Sequence, residues 1–328
     1  MNQVSSQVSM PEDRKNPYID SDSESFSYSF GNIDNYELCS RIGRGKYSTV
    51  FSGRSTNGSM CVLKVLKPVR LSKINREIRI LESLRGGPSI CELLDVVRDV
   101  ESSTISLVLT WTNNDDFKTL NQIFTIKDIA FYMLKVLQAL EYAHNKGIMH
   151  RDIKPQNIMI DHSQKIVSLI DWGLADFYVP GNTYQVRVAT RHYKSPELLL
   201  GLSQYNPSVD IWGLGCTFAT FLFKKIPFFR ARENNEILSK IAEFVGTDEL
   251  EAFVEKNGLQ SCYNSIPKIK PFKKKTFDQI LKENPDSMIT PEAFDLLTKM
   301  LAVDHRERIS ASDAIKHPFF NILLDSTG

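Results

Sequence analysis

The chain has 328 residues, 42% hydrophobic and 24% charged, the balance of a folded globular protein with enough chain for two lobes. That excludes a wholly disordered chain, a collagen and a disulfide-rich mini-protein. Lys and Arg total 40 against 39 Asp and Glu, a net charge of +1, so no global field draws in nucleic acid or an anionic membrane.

In chain order, residues 1–33 are rich in Ser, Asp and Glu and read as an N-terminal extension without the apolar stretch of a signal peptide. The next segment, 34–109, alternates short Val-, Ile- and Leu-rich runs with Gly and Asn, the pattern of strands. One helix interrupts it over 71–84, with Ile74, Ile78, Leu81 and Leu84 at helical spacing and Gly86-Gly87-Pro88 as its stop. A polar hinge at 110–114 follows. Helical periodicity then dominates 115–320. The helix expected over 126–146 opens on a capping box, Thr125 with Asp128. Residues 321–328 form a short tail. This is an α+β chain, a small β-rich lobe joined by a hinge to a larger α-rich lobe. The longest nearly uncharged apolar run, 211–223, is shorter than the ~20 residues a membrane span needs and reads as a buried helix. Five scattered cysteines without a CxxC pair read as free thiols in a reducing compartment, nucleus and cytoplasm. The basic run 268–275 reads as a solvated loop.

Four motifs carry chemistry. Gly43-Arg44-Gly45-Lys46-Tyr47-Ser48 lies between two strand-like runs, where glycines let backbone N–H groups approach phosphates. Taken alone, a plain hairpin turn explains it equally well. Lys64 is a charge inside the apolar run 61–66, and Glu77 lies beside the apolar stripe of the following helix. Such a pair aims an ammonium at the α and β phosphates of a nucleotide. The segment His150-Arg151-Asp152-Ile153-Lys154-Pro155-Gln156-Asn157 concentrates groups that packing does not require. A carboxylate there accepts the proton of a substrate hydroxyl, a Lys neutralises a transferring phosphoryl group, and a carboxamide oxygen ligates Mg²⁺. Asp171-Trp172-Gly173 follows the apolar run 166–170 and places a second metal ligand, a carboxylate, with Trp172 pinning the turn. Farther on, Glu197 and Arg308 are expected to pair as structural glue. Asp210 is either a helix N-cap or a support for the catalytic loop.

In order, these motifs resemble the eukaryotic protein kinase set across 36–320. The resemblance reaches the catalytic α subunits of casein kinase II, on Gly43–Ser48, Lys67-Pro68-Val69, Leu84–Pro88, the segments 147–152 and 159–162, and Asp171-Trp172-Gly173-Leu174-Ala175. It implies a bilobal Ser/Thr protein kinase that uses ATP, and GTP as well, with Mg²⁺. Asp152, Lys154, Lys64 and Glu77 are then catalytic, and Asn157 and Asp171 bind the metal. The nucleotide lies under Gly43–Ser48, with its purine between Val50, Val62, Met159 and Ile170 and against backbone groups near Thr110 and Thr112. Acidic protein substrates are read by Arg187, Arg191 and Lys194. A regulatory β-subunit dimer completes a tetramer through an apolar patch at Leu38, Phe51, Val65 and Val108, and neither membrane nor nucleic acid is a direct partner. Departures from the family pattern are a thinned basic run over 69–76, Leu109 for Phe before the hinge, Ser195 for Gly before Pro196-Glu197, and an N-terminus without the usual aromatic pattern. The near-zero net charge is a cancellation. Residues 1–37 hold seven acidic and two basic side chains, whereas 64–79 hold six basic and one acidic.

Overall fold

The structure, a computed structural model, describes residues 28–324. The β-branched runs of the first lobe form β1 (Tyr36–Arg44), β2 (Ser48–Ser55), β3 (Met60–Leu66), β4 (Leu93–Arg98) and β5 (Ile105–Thr110). They pair antiparallel in the order β1-β2-β3-β5-β4. Period-2 alternation gives this sheet two faces. Cys61, Leu63 and Val108 point outward and join Val97 in a satellite core capped by Ile33 and Tyr36. Val50 pairs with Lys64 and Lys64 with Leu107, so these residues share the opposite face. Gly31 bridges Val97 and donates its N–H to Val96 O at 2.9 Å. The lobe therefore begins at least by Gly31, inside the stretch that reads in sequence as an extension. The part of that extension over residues 1–27 lies outside the described residues, as do 325–328 of the tail.

Helix α1 (Leu71–Ser83) lies where the apolar spacing expects it and buries Ile74, Glu77, Ile78, Ile80 and Leu81. The hinge leads into α2 (Phe117–Ile123) and α3 (Ile126–Asn145). At the start of α3, Thr125 and Asp128 cap each other reciprocally. Four short strands, β6 (Ile148–Met149), β7 (Ile158–Asp161), β8 (Ile166–Leu169) and β9 (Asp176–Phe177), then frame the catalytic loops. They pair as two hairpin-like ladders, β6 with β9 and β7 with β8.

After α4 (Pro196–Leu199), α5 (Ser208–Phe223) runs through the centre of the large lobe, buried nearly all round. Gly213 lets it approach the catalytic loop: a Cβ there would stand 2.7 Å from Ile153 O. The outer helices are α6 (Asn234–Val245), α7 (Thr247–Lys256), α8 (Gln260–Asn264), α9 (Phe277–Glu283), α10 (Pro291–Met300) and α11 (Ala311–Ile315). Among the described residues no helix is long and apolar enough to cross a membrane. One continuous core runs from Leu66 and Ile78 in the small lobe to Phe319 in the large one. The basic run at 268–275 is free of helix until Thr276, and its Lys274 pairs with Glu249 at 3.3 Å.

Candidate active site

Lys64 faces the cleft because β3 alternates, and Glu77 meets it because α1 turns that position toward the sheet. Lys64 Nζ lies 2.7 Å from Glu77 Oε1 and 2.7 Å from Asp171 Oδ1. Burial works against the Lys64 ammonium, but Glu77 and Asp171 outweigh it and hold its pKa above the lysine range. In turn Lys64, against the opposing effect of burial, holds Asp171 below the usual carboxylate range. The ionic triad joins both lobes. Gly173 is the residue that leaves room for it: a Cβ there would come within 3.2 Å of Glu77 Oε2 and of Lys64 Nζ.

Asp171 sits at φ +60°, a left-handed conformation that costs a non-glycine residue about 1 kcal/mol or more. Trp172 holds the turn. Its ring is buried, its Nε1–H donates to Leu169 O at 3.2 Å, and it packs edge-on against His150 with centroids 4.6 Å apart. His150 Nδ1 accepts from the Asp152 N–H at 3.2 Å, so the ring's proton is on Nε2, which donates to Ile170 O at 2.9 Å. His150 thereby ties the catalytic loop to the strand end that carries Asp171.

Asp210 supports the same loop from α5. Its carboxylate accepts from the backbone N–H groups of His150 at 2.8 Å and Arg151 at 2.7 Å, and from His144 Nε2 at 2.9 Å. Of the two sequence readings, support for the catalytic loop is the one the geometry bears out. Asp210 is inside the helix, and Pro207 occupies the N-cap. Burial opposes ionisation of Asp210, yet the hydrogen bonds it accepts from His144 and from the His150 backbone N–H hold its pKa low. These bonds hold Arg151 at φ +65°. The Arg151 side chain donates to Leu174 O at 2.8 Å and pairs with Asp176 at 2.9 Å, and Arg76 of α1 reaches that carboxylate at 3.1 Å. An acidic side chain thus anchors α1, the catalytic loop and the segment after Asp171 together.

Asp152 lies at the centre. Its Oδ1 accepts from the Thr190 N–H at 2.8 Å and from Thr190 Oγ1 at 2.9 Å. Its Oδ2 accepts from Lys154 Nζ at 2.6 Å, and Lys154 also donates to Thr190 Oγ1 at 2.8 Å. Asn157 donates Nδ2 to the Asp152 carbonyl at 2.9 Å, which leaves Oδ1 as its atom for a cation. Sequence reasoning missed three of these participants: Thr190, His150 as a brace, and Asp176.

A divalent cation fits this donor set. Asp171 has Oδ1 on Lys64 while its side chain remains 49% exposed, and Asn157 keeps its amide oxygen. These are hard oxygen ligands of low count, as suits Mg²⁺ that completes its shell with phosphates and water.

The residues expected to wall the purine, Val50, Val62, Met159 and Ile170, are all half-buried. The purine-edge expectation changes at Thr110. Its N–H donates to Glu92 O at 3.0 Å and its hydroxyl accepts from Glu92 N at 3.0 Å, because Thr110 still belongs to the sheet edge. Its N–H is therefore spent, and Thr112 lies beyond the strand's end. Between β1 and β2, the Gly45 N–H bonds Ser48 O at 2.9 Å, and Lys67 Nζ ties Gly45 O at 2.5 Å. Lys46 and Lys73 flank the Tyr47 ring at 5.1 and 5.2 Å. Arg44 is exposed.

The three expected substrate-reading bases divide. Arg187 and Arg191 are exposed, and Arg191 also donates to Arg232 O. Lys194 is half-buried, donates to Val188 O, and has its pKa lowered by burial. Ser195 is fully buried, its hydroxyl without a partner among the described residues. The expected apolar docking patch is only partly a surface. Leu38 is 52% exposed and Phe51 and Val65 are half-buried, but Val108 is buried beneath Ile33 and Tyr36.

A nucleotide cleft between a five-stranded lobe and a helical lobe, with a Lys–Glu–Asp triad and an Asp–Lys–Asn loop, defines a phosphotransferase. The sequence pattern of the protein kinase domain family matches residues 36–320, and the chain belongs to that family. It is a protein kinase that transfers phosphate, with ATP and Mg²⁺ as the family implies.

Proposed function

We propose that this kinase phosphorylates Ser and Thr hydroxyls followed by acidic residues, like the catalytic subunits of casein kinase II, and accepts GTP as well as ATP. The observation that carries this reading is the pair of exposed cations Arg187 and Arg191 flanking Thr190, which itself touches Asp152. A residue that touches the proposed base and two exposed cations thereby share one short segment. The Thr190 N–H, 2.8 Å from the Asp152 carboxylate, brings a substrate laid along this segment backbone-close to Asp152. That suits a hydroxyl carried on Cβ better than one at the end of a phenol ring.

In the mechanism, Asp152 orients the substrate hydroxyl and takes its proton. Lys154, already within 2.6 Å of Asp152, neutralises charge on the transferring phosphoryl oxygens. Lys64, aimed by Glu77, holds the α and β phosphates under the Gly43–Ser48 turn. Asp171 and Asn157 would hold Mg²⁺, which would supply neutralising charge to the phosphates when bound. Catalysis then comes from positioning and electrostatics. A β-subunit dimer would dock on the outer sheet around Leu38, the most open residue of the expected patch.

The test offers ATP or GTP, Mg²⁺ and peptides with a serine followed either by three glutamates or by three alanines. The glutamate peptide should be preferred. Arg187→Glu with Arg191→Glu should raise its KM about tenfold, the ~1.4 kcal/mol expected of lost charge-assisted contacts. Asp152→Asn should cut kcat by ~10²–10⁴ and spare nucleotide binding. Equal use of both peptides would sink the acidophilic reading. No transfer at all, with nucleotide still bound, would sink the enzyme reading.

A further inference from the structure

The chain leaves β5 at Thr110 and crosses to the large lobe through Trp111, Thr112 and Asn113. Trp111 is half-buried, and its Nε1–H donates to Asn113 Oδ1 at 2.9 Å. Asn113 Nδ2 donates to Asp161 Oδ2 at 3.2 Å, at the end of β7. Asp161 is fixed in turn. Its Oδ1 accepts from Ser163 Oγ at 2.7 Å and from the Gln164 N–H at 3.0 Å, and these bonds hold its pKa below the usual carboxylate range. An indole N–H only donates and a carboxylate only accepts, so the Asn113 amide has one orientation that answers both neighbours. The next two residues rivet the same stretch to β7. The Ile160 N–H donates to Asn114 Oδ1 at 3.0 Å, and the Asp115 N–H donates to Ile160 O at 2.8 Å. Met159, expected to wall the purine, is the neighbour of Ile160. Thr112 stands between the two ends of the Trp111–Asn113 bond. It spends neither its N–H nor its C=O on another described residue, unlike Thr110.

We propose that Trp111 and Asn113 are positioning residues for the nucleotide: the chain from Trp111 through Asn113 to Asp161 holds Thr112 in register with Met159, so that the purine slot is set before the nucleotide arrives. The inference rests on the placement of the purine beside Thr112 and Met159 given above. Closing the Trp111–Asn113 bond fixes the short stretch of backbone whose N–H and C=O remain for a base edge. Anchoring Asn113 on Asp161 ties that stretch to the strand that carries the purine wall. Trp111 follows the last strand of the small lobe and Asp161 belongs to the large one, so the chain also sets the spacing of the lobes at the base. A crossing already held in this shape loses less freedom on binding. It tightens the nucleotide without acting on phosphoryl transfer.

The experiment titrates the full chain with ADP and Mg²⁺, and separately with adenosine, by calorimetry. Trp111→Phe keeps an aromatic ring and removes the N–H. Asn113→Ala removes the bridge at an exposed position. Each should weaken ADP by ~3–10-fold, the scale of one lost hydrogen bond. The double variant should bind no more weakly than the worse single one, because both substitutions cut the same chain. Asn113→Asp keeps an acceptor for the indole but turns a second carboxylate on Asp161, so it should match Asn113→Ala. The adenosine Kd should rise by the same factor as the ADP Kd, with the unfolding temperature unchanged, a pattern that general loosening of the fold would not give. The proposal falls if either single variant binds ADP within about twofold of the wild type, or if the two factors multiply in the double variant. It falls also if adenosine binding does not move, which would place the effect at the phosphates. Wild-type affinity in Asn113→Asp would end the chain at Asn113 and equally overturn it. Binding is read without a transfer step, so failure of the enzyme reading and failure of this proposal give different results. A wild-type chain that binds neither ligand overturns the proposal together with the nucleotide site.

Discussion

At the scale of single residues, the site depends on one hydroxyl that joins its acid and its base. Thr190 Oγ1 lies 2.9 Å from Asp152 Oδ1 and 2.8 Å from Lys154 Nζ. It satisfies both charges while no substrate hydroxyl is present and fixes their spacing. Thr190→Val keeps the shape and removes the bridge, so kcat should fall about tenfold or more, with thermal stability changed by less than ~1.5 kcal/mol. Thr190→Ser should restore most of the rate, which a purely steric role would not require. A Val variant with wild-type kcat would remove Thr190 from the machinery. Lys64, Glu77, Asp152, Asn157 and Asp171 were legible in sequence because each is a charged or amide group set where an apolar run or a loop gives it no packing reason. Thr190 was not, since a threonine in a polar segment is unremarkable until the fold brings it across 38 residues to Asp152. Asp176 was hidden for the same reason, 100 residues from its partner Arg76.

At the scale of elements, periodicity placed α1, α3 and the strand β3 within a residue or two, because each presents an apolar face to one core. Periodicity said less about how α5 serves the catalytic loop. A helix buried all round shows no face, so its orientation had to come from tertiary contacts. Asp210 is the link. It spends its carboxylate on two backbone N–H groups of the loop and on His144, and so holds Arg151 at φ +65°. Asp210→Asn replaces one acceptor oxygen with a donor facing groups that already donate. The expected loss is about 1.5–3 kcal/mol in stability. A fall in kcat that persists at temperatures where the variant is fully folded should accompany it. A variant that loses stability but keeps kcat would show that Asp210 holds the fold and leaves the loop's geometry to other contacts.

At the scale of the molecule, the buried pair of Arg308 with Glu197 locks the end of the segment that carries Arg187 and Arg191 to the far side of the large lobe. Both side chains are fully buried, with contacts of 2.8 and 3.0 Å. Burial pushes the Glu197 pKa up, but Arg308 outweighs it and the carboxyl lies below the usual range. A carboxyl depressed in the folded state stabilises above its unfolded value, about 4.3, and that contribution is lost as pH falls through the folded value. Arg308→Met inverts the sign. Burial then acts unopposed, the folded-state pKa rises, and the variant loses stability as pH climbs above about 4.3. The deficit should reach ~3–5 kcal/mol near pH 7.5, the cost of leaving one buried charge alone, and narrow toward pH 4.5. Unfolding by denaturant at the two pH values measures it, and a deficit independent of pH would place the pair's role in packing. Replacing both partners, Glu197→Leu with Arg308→Met, removes the stranded charge and should recover most of the loss. Any shortfall in peptide KM that remains in this double variant then reports how far the pair sets the geometry of the segment carrying Arg187 and Arg191, apart from the energy it contributes to folding.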